Sequence, residues 1–153
     1  MIILFTKSDK IGSRIIRWFT GEGVSHCAVM MSSEVVLHST GSGTHLISHA
    51  RFIQNYNVVY TVWHPAELDH GAALATIGTG YDFFAIIWLG LKLFLRKMLF
   101  RPIERKNNWE QRRVFMCTEL VSTLVFGEED STITPEALYL KLLATGGNSS
   151  GDK

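Results

Sequence analysis

Six histidines, at positions 26, 38, 45, 49, 64 and 70, and two cysteines, Cys27 and Cys117, are the residues whose types suit acid–base and nucleophilic chemistry. Their spacing singles out three. Residues 25–32 and 34–38 read as two strands joined by the polar Ser32-Ser33 pair, a hairpin candidate. His26 opens the first strand and His38 closes the second, and antiparallel neighbours joined by a short turn bring such outer ends together. Cys117 falls at or near the start of an apolar helical stretch, residues 115–126. Free backbone N–H groups and the helix dipole stabilise a thiolate there, and a neighbouring imidazole that takes the proton does so further. The same N–H groups can hold an oxyanion. A nucleophile, a base and a residue that orients the base are the three parts of a thiol acyl-transfer site.

Plainer readings stand beside this one. A histidine on a strand often serves only the surface or the core, and a cysteine such as Cys117 can be a small buried hydrophobe. Cys27 alternates to the strand face opposite His26, with Val29 and Met31, and reads as core. His26, His38 and Cys117 would also form a His₂Cys donor set for zinc with an open position. His45 and His49 have the spacing of one helix face, but Gly43 and the alternation over residues 44–48 argue for strand or loop. No paired-ligand motif is present, so neither a metal nor a cofactor is expected. Without a dinucleotide, phosphate-loop or nucleic-acid signature, no nucleic-acid partner is expected either.

The elements that would position these residues emerge from periodicity and turn chemistry. Residues 2–6 form an apolar first strand, and Ile11, Ile15 and Phe19 mark one stripe of a helix over 10–19, ended by Gly21 and Gly23. After the hairpin, residues 44–48 alternate as a third strand and 57–63 as a fourth, closed by Pro65. Helices are expected over 66–77, 83–99 and 115–126. Thr134, Pro135 and Glu136 supply an N-cap, a first-turn proline and a first-turn acid for a last helix ending near Ala144. The order implies an α+β domain: a small antiparallel sheet packed against helices, in a single domain over 1–145 with a flexible C-terminal tail over 146–153.

The chain's 153 residues suit one domain, and 46% apolar against 19% charged residues excludes a disordered or collagen-like chain. Two thiols so far apart make no disulfide framework. The N-terminus lacks a signal peptide's basic region and long apolar run. The longest apolar run, 83–95, is interrupted by Lys92 and short of the ~18–20 residues a span needs. A cytoplasmic protein is the default expectation, with peripheral membrane attachment or delivery with a phage or virion as alternatives. The apolar surplus lies in residues 83–100, and a formal net charge of +1 hides eight bases against two acids over 92–113. An apolar helix beside a basic stretch is either buried or an interface with a membrane surface or a protein.

Four short stretches, in order, resemble a known family. Ser25-His26-Cys27-Ala28-Val29 resembles the histidine strand of circularly permuted NlpC-like papain-fold cysteine hydrolases, in which the His strand comes first and the Cys helix last. Tyr81-Asp82-Phe83 is similar to that family's Tyr-Asp element, residues 115–121 (FMCTELV) to its nucleophile helix, and residues 133–138 (ITPEAL) to the stretch after that helix. The resemblance implies a papain-like fold, Cys117 as nucleophile, His26 as general base, His38 as the residue orienting its ring, and Tyr81 lining the site and helping to bind the oxyanion. It implies a cysteine peptidase or amidase acting on a peptide or peptidoglycan substrate. Lecithin:retinol acyltransferase-like relatives also carry a second histidine about a dozen residues after the first, but the Thr-Glu-Leu after Cys117 favours the NlpC-like branch. A lipid or thioester acyl hydrolase or acyltransferase at a membrane surface is the second reading, and a non-enzymatic binding or virion structural protein the third.

Overall fold

The computed structural model describes residues 1–80, 116–127 and 133–151. Tyr81, the apolar segment 83–100, the basic stretch 92–113 and the loop 128–130 lie outside the described residues. Within them the chain is α+β, with six strands in one antiparallel sheet and five helices. The strands are β1 (Ile2–Lys7), β2 (His26–Met30), β3 (Val35–Thr40), β4 (Gly43–Ser48), β5 (Asn57–Trp63) and β6 (Asn148–Gly151), in the spatial order β4-β3-β2-β1-β5-β6. The helices are α1 (Ile11–Thr20), α2 (His49–Asn55), α3 (His70–Ala75), α4 (Cys117–Phe126) and α5 (Pro135–Ala144).

The central strands are apolar on both sides because both faces of the sheet are covered. Alternation sends Ile3 and Phe5 of β1, Cys27 and Val29 of β2 and Val62 of β5 to one face, against Cys117 and Val121 of α4 and Leu138 and Leu142 of α5. Leu4, Ala28 and Val36 go to the other face, around Phe52 of α2. Phe52 is fully buried, and burying a side chain of that size stabilises by about 1.5–3 kcal/mol. β3, β4 and β5 form where alternation and β-branched residues indicate. α5 starts at the expected cap, with the Thr134 hydroxyl accepting the Ala137 N–H and Pro135 in its first turn.

Three elements differ from expectation. Helix α2 was not foreseen; Ser48 ends β4 and, in the same place, caps α2 by accepting the Arg51 N–H at 3.3 Å. Helix α3 is shorter than 66–77, because the Asp69 carboxylate accepts the Ala72 N–H and starts the helix there. Where a flexible tail was expected, Asn148–Gly151 pairs with Trp63–Tyr60 of β5 as an exposed edge strand. Its Asn, Ser and Gly residues have little strand propensity, so the backbone ladder carries this pairing, with a hydrogen bond between the Tyr139 hydroxyl and Ser149 Oγ at 3.0 Å beside it. No helix among the described residues is long and apolar enough to cross a membrane.

The sheet is irregular in two places: β1 and β5 shift register between Phe5 and Thr6, and β2 and β3 pair over only part of their length. β1 and β2 pair as far as Thr6↔His26, and β3 and β4 as far as Thr40↔Gly43. β2 and β3 pair only at Val29↔Leu37 and Met30↔Val36. Beyond those pairs the ladder between β2 and β3 stops, so the pairing is split at the end that carries His26 and His38, and α4 contacts both strands.

Candidate active site

Cys117 is the first residue of α4. Met116 precedes it in extended conformation, at φ −71° and ψ 159°, and its N–H donates to the Glu119 carboxylate at 3.1 Å. That bond satisfies the N–H just ahead of the helix and holds the chain's entry angle. The thiol is 6% exposed, at the end of a helix otherwise buried through Ser122. The first-turn N–H groups of α4 and the positive end of its dipole are therefore directed at the sulfur's surroundings.

The split explains how neighbouring residues of β2 both reach this sulfur. Cys27 faces α4 and its S–H donates to Cys117; the Cys27 backbone N–H and the His26 ring also interact with it. Together these hold the Cys117 thiol well below its ordinary value: the Cys27 hydrogen bond contributes most, burial opposes it, and the His26 charge and hydrogen bond add to it. Cys27, fully buried and beside a developing thiolate, is pushed well up. The helix N-terminus and the His26 charge favour a thiolate at Cys117 over one at Cys27. Cys27 packs in the core, as the alternation predicts, and in addition touches Cys117.

His26 is held from three sides. Its Nε2 faces His38 Nδ1 at 3.3 Å, so Nδ1 is the ring nitrogen left for Cys117. The Tyr56 ring stacks on the imidazole with centroids 5.1 Å apart and planes 28° apart, and Phe52 supports Tyr56 from below at 4.9 Å. His38 is 2% exposed, and its pKa falls to about 3, first through burial and then through the charges of His26, His45 and Lys10. It therefore stays neutral at physiological pH and can accept the His26 Nε2–H. Its own Nε2 is buried with no hydrogen-bond partner among the described residues. His45 lies opposite it on β4, centroids 4.4 Å apart, and donates from Nδ1 to the Gly43 carbonyl at 3.0 Å.

Cys117, His26 and His38 thus lie together at the split, and Tyr81 lies outside the described residues. Tyr56 is the neighbour that sequence reasoning missed. Burial and the nearby Cys117 raise its pKa, and Lys10 Nζ sits 5.0 Å from its ring centroid. The available signal was the Ser48 cap: once α2 is drawn, Phe52 and Tyr56 fall one turn apart. His64 lies elsewhere, bonded to Thr145 Oγ1 at 3.1 Å. Among the described residues, no group of three or more His, Cys, Asp or Glu side chains is arranged to hold a metal ion. The chain matches no protein-family model and no curated protein.

Proposed function

We propose that this chain is a thiol hydrolase with a papain-like fold of the permuted NlpC type, cleaving an amide bond in a peptide or peptidoglycan substrate. The observation that carries the reading is the line Cys117–His26–His38, with the sulfur at a helix N-terminus and a neutral imidazole behind the base. In the first half-reaction the Cys117 thiolate attacks the carbonyl carbon. An S–C bond forms, and the carbonyl π pair moves to oxygen, which the first-turn N–H groups of α4 stabilise. The tetrahedral species collapses with cleavage of the C–N bond, and the leaving nitrogen takes the proton held by His26. In the second half-reaction His26 takes a proton from water, the hydroxide attacks the thioester, the C–S bond breaks to restore the thiolate, and the carboxylic acid leaves and ionises in water. His38 accepts from Nε2 throughout, which keeps Nδ1 on the thiol side.

The test is iodoacetamide labelling mapped by mass spectrometry, followed by a panel of muropeptides, simple peptides and acyl esters. The reading expects rapid labelling of Cys117 and cleavage of an amide in the panel. A Cys117 that reacts no faster than a model thiol removes the enzyme reading and leaves a binding role for the same fold. Turnover of the esters alone moves the substrate to an acyl lipid or thioester.

A further inference from the structure

Helix α1 presents its faces the wrong way round for a helix packed on its own domain. Ser13, Ile16, Arg17 and Thr20 are its half-buried positions. Polar groups tie this side down: Ser13 Oγ accepts the Ser8 N–H and pairs with Ser25 Oγ, and Arg17 donates to the Ser8 carbonyl. Ile11, Ile15 and Trp18 fall within roughly 60° of one another on the opposite side. They are 75%, 49% and 72% exposed. A surface helix of a globular domain normally turns its apolar stripe inward and its polar face to water. Here the stripe points away from the sheet.

The charges around the stripe narrow down what it meets. Lys7, Lys10, Arg14 and Arg17 stand along this segment against the single acid Asp9, and the helix itself contains no acidic residue. A two-fold contact with a second copy would bring these bases against their own counterparts, which electrostatics disfavours. A short helix with Ile and Trp on one side and Arg and Lys at its flanks matches the chemistry of an anionic bilayer surface. Its apolar side chains enter the headgroup boundary, and its bases meet lipid phosphates.

We propose that α1 is an interfacial helix that docks the protein on anionic lipid through Ile11, Ile15 and Trp18, with Arg14 against the headgroups. This stands independently of the Cys117 chemistry. It has a positional consequence, because the inner side of α1 is bonded to Ser25, the residue before His26. Docking holds the split end of the sheet close to the bilayer.

The experiment is co-sedimentation of the full chain with sucrose-loaded phosphatidylcholine vesicles, with and without phosphatidylglycerol, at low and high salt. The comparison is with the double variant Ile15→Asp/Trp18→Ser, in which the basic stretch 92–113 is untouched. The proposal expects binding that needs phosphatidylglycerol, weakens with salt and falls by about tenfold or more in the double variant. Quenching by brominated lipid is expected in the wild type and reduced in Trp18→Phe. Absence of wild-type binding overturns it. So does equal binding by the double variant, which would assign the contact to another segment. A double variant that loses its folded circular dichroism signal, or a wild-type dimer that the variant converts to monomer, also overturns it, because the face is then covered by the chain itself or by a second copy.

Discussion

His26 and His38 face one another through Nε2 and Nδ1 at 3.3 Å, and His38 is held neutral by its surroundings. Burial and the neighbouring charges hold His38 neutral down to about pH 3. A neutral His38 can accept at Nδ1 from the Nε2–H of His26, and the proposed chemistry uses the other His26 nitrogen toward the thiol. Replacing His38 by Ala is expected to cost about 10–100-fold in turnover or in Cys117 labelling rate. His38→Gln, which keeps an acceptor, is expected to recover part of that loss. Equal effects of the two variants would reduce His38 to a packing residue.

The same histidine makes a prediction for acid stability. The folded-state pKa of His38 lies below the value of 6.5 it has when unfolded, so the unfolded chain binds the extra proton between pH 6.5 and about 3. The stability contributed by neutral His38 is complete above pH 6.5 and is lost as pH falls, at up to about 1.4 kcal/mol per pH unit. Urea unfolding at pH 7, 6 and 5 should show this slope in the wild type and a shallower one in His38→Gln. Parallel slopes would show that other groups carry the acid sensitivity.

Cys117 is expected to alkylate with a pH profile displaced to lower pH than that of an ordinary thiol, which slows about tenfold per unit below its own pKa. Cys27 in the folded protein should stay unlabelled. Cys117→Ser should abolish turnover, by at least about 10³-fold, with little change in thermal stability. A profile that coincides with that of a model thiol would contradict the lowered pKa.

Cys27→Ala removes the S–H that donates to Cys117, so the midpoint of the labelling profile should move to higher pH. Cys27→Ser keeps a donor and should move it less. Both variants disturb a packed core site, at a cost of about 1 kcal/mol, so their profiles are to be compared at a temperature where each is folded. Identical profiles for the two variants and the wild type would remove Cys27 from the thiol's environment.

Tyr56 separates stacking from hydrogen bonding. Tyr56→Phe keeps the ring against His26 and Phe52 and should change stability by less than about 1 kcal/mol, whereas Tyr56→Ala should cost about 2–3 kcal/mol. If the hydroxyl also serves the sulfur's surroundings, Tyr56→Phe lowers turnover while thermal unfolding hardly moves. A Phe variant with wild-type kinetics restricts Tyr56 to holding the imidazole plane.

These relations were unevenly legible in the amino-acid order. β5 and the starts of α4 and α5 obey local rules, namely alternation, a helix-start position and a Thr-Pro cap. The approach of His26 to His38 is a matter of hairpin geometry. Helix α2 was hidden because its seven residues continue directly from a strand whose last residue is also its cap. Tyr56 was hidden with it. β6 has no signature of its own, since only its partner's backbone makes it a strand. The contact between Cys27 and Cys117 depends on where β2 and β3 stop pairing, and that is a property of the whole sheet rather than of either strand.

The split has a further consequence for the order in which the molecule assembles. His26 and His38 belong to a sheet whose first five strands come from residues 2–63 and mostly join neighbours in sequence, and Tyr56 stands just ahead of β5. Closing such short loops costs little entropy. Cys117 reaches the gap between β2 and β3 only when a helix from 90 residues beyond Cys27 docks against both strands. The imidazole half can form early and inert, and the thiol acquires its partners in a long-range closure. Nucleophilicity at position 117 is therefore a late reporter of folding, switched on when the tertiary structure is complete.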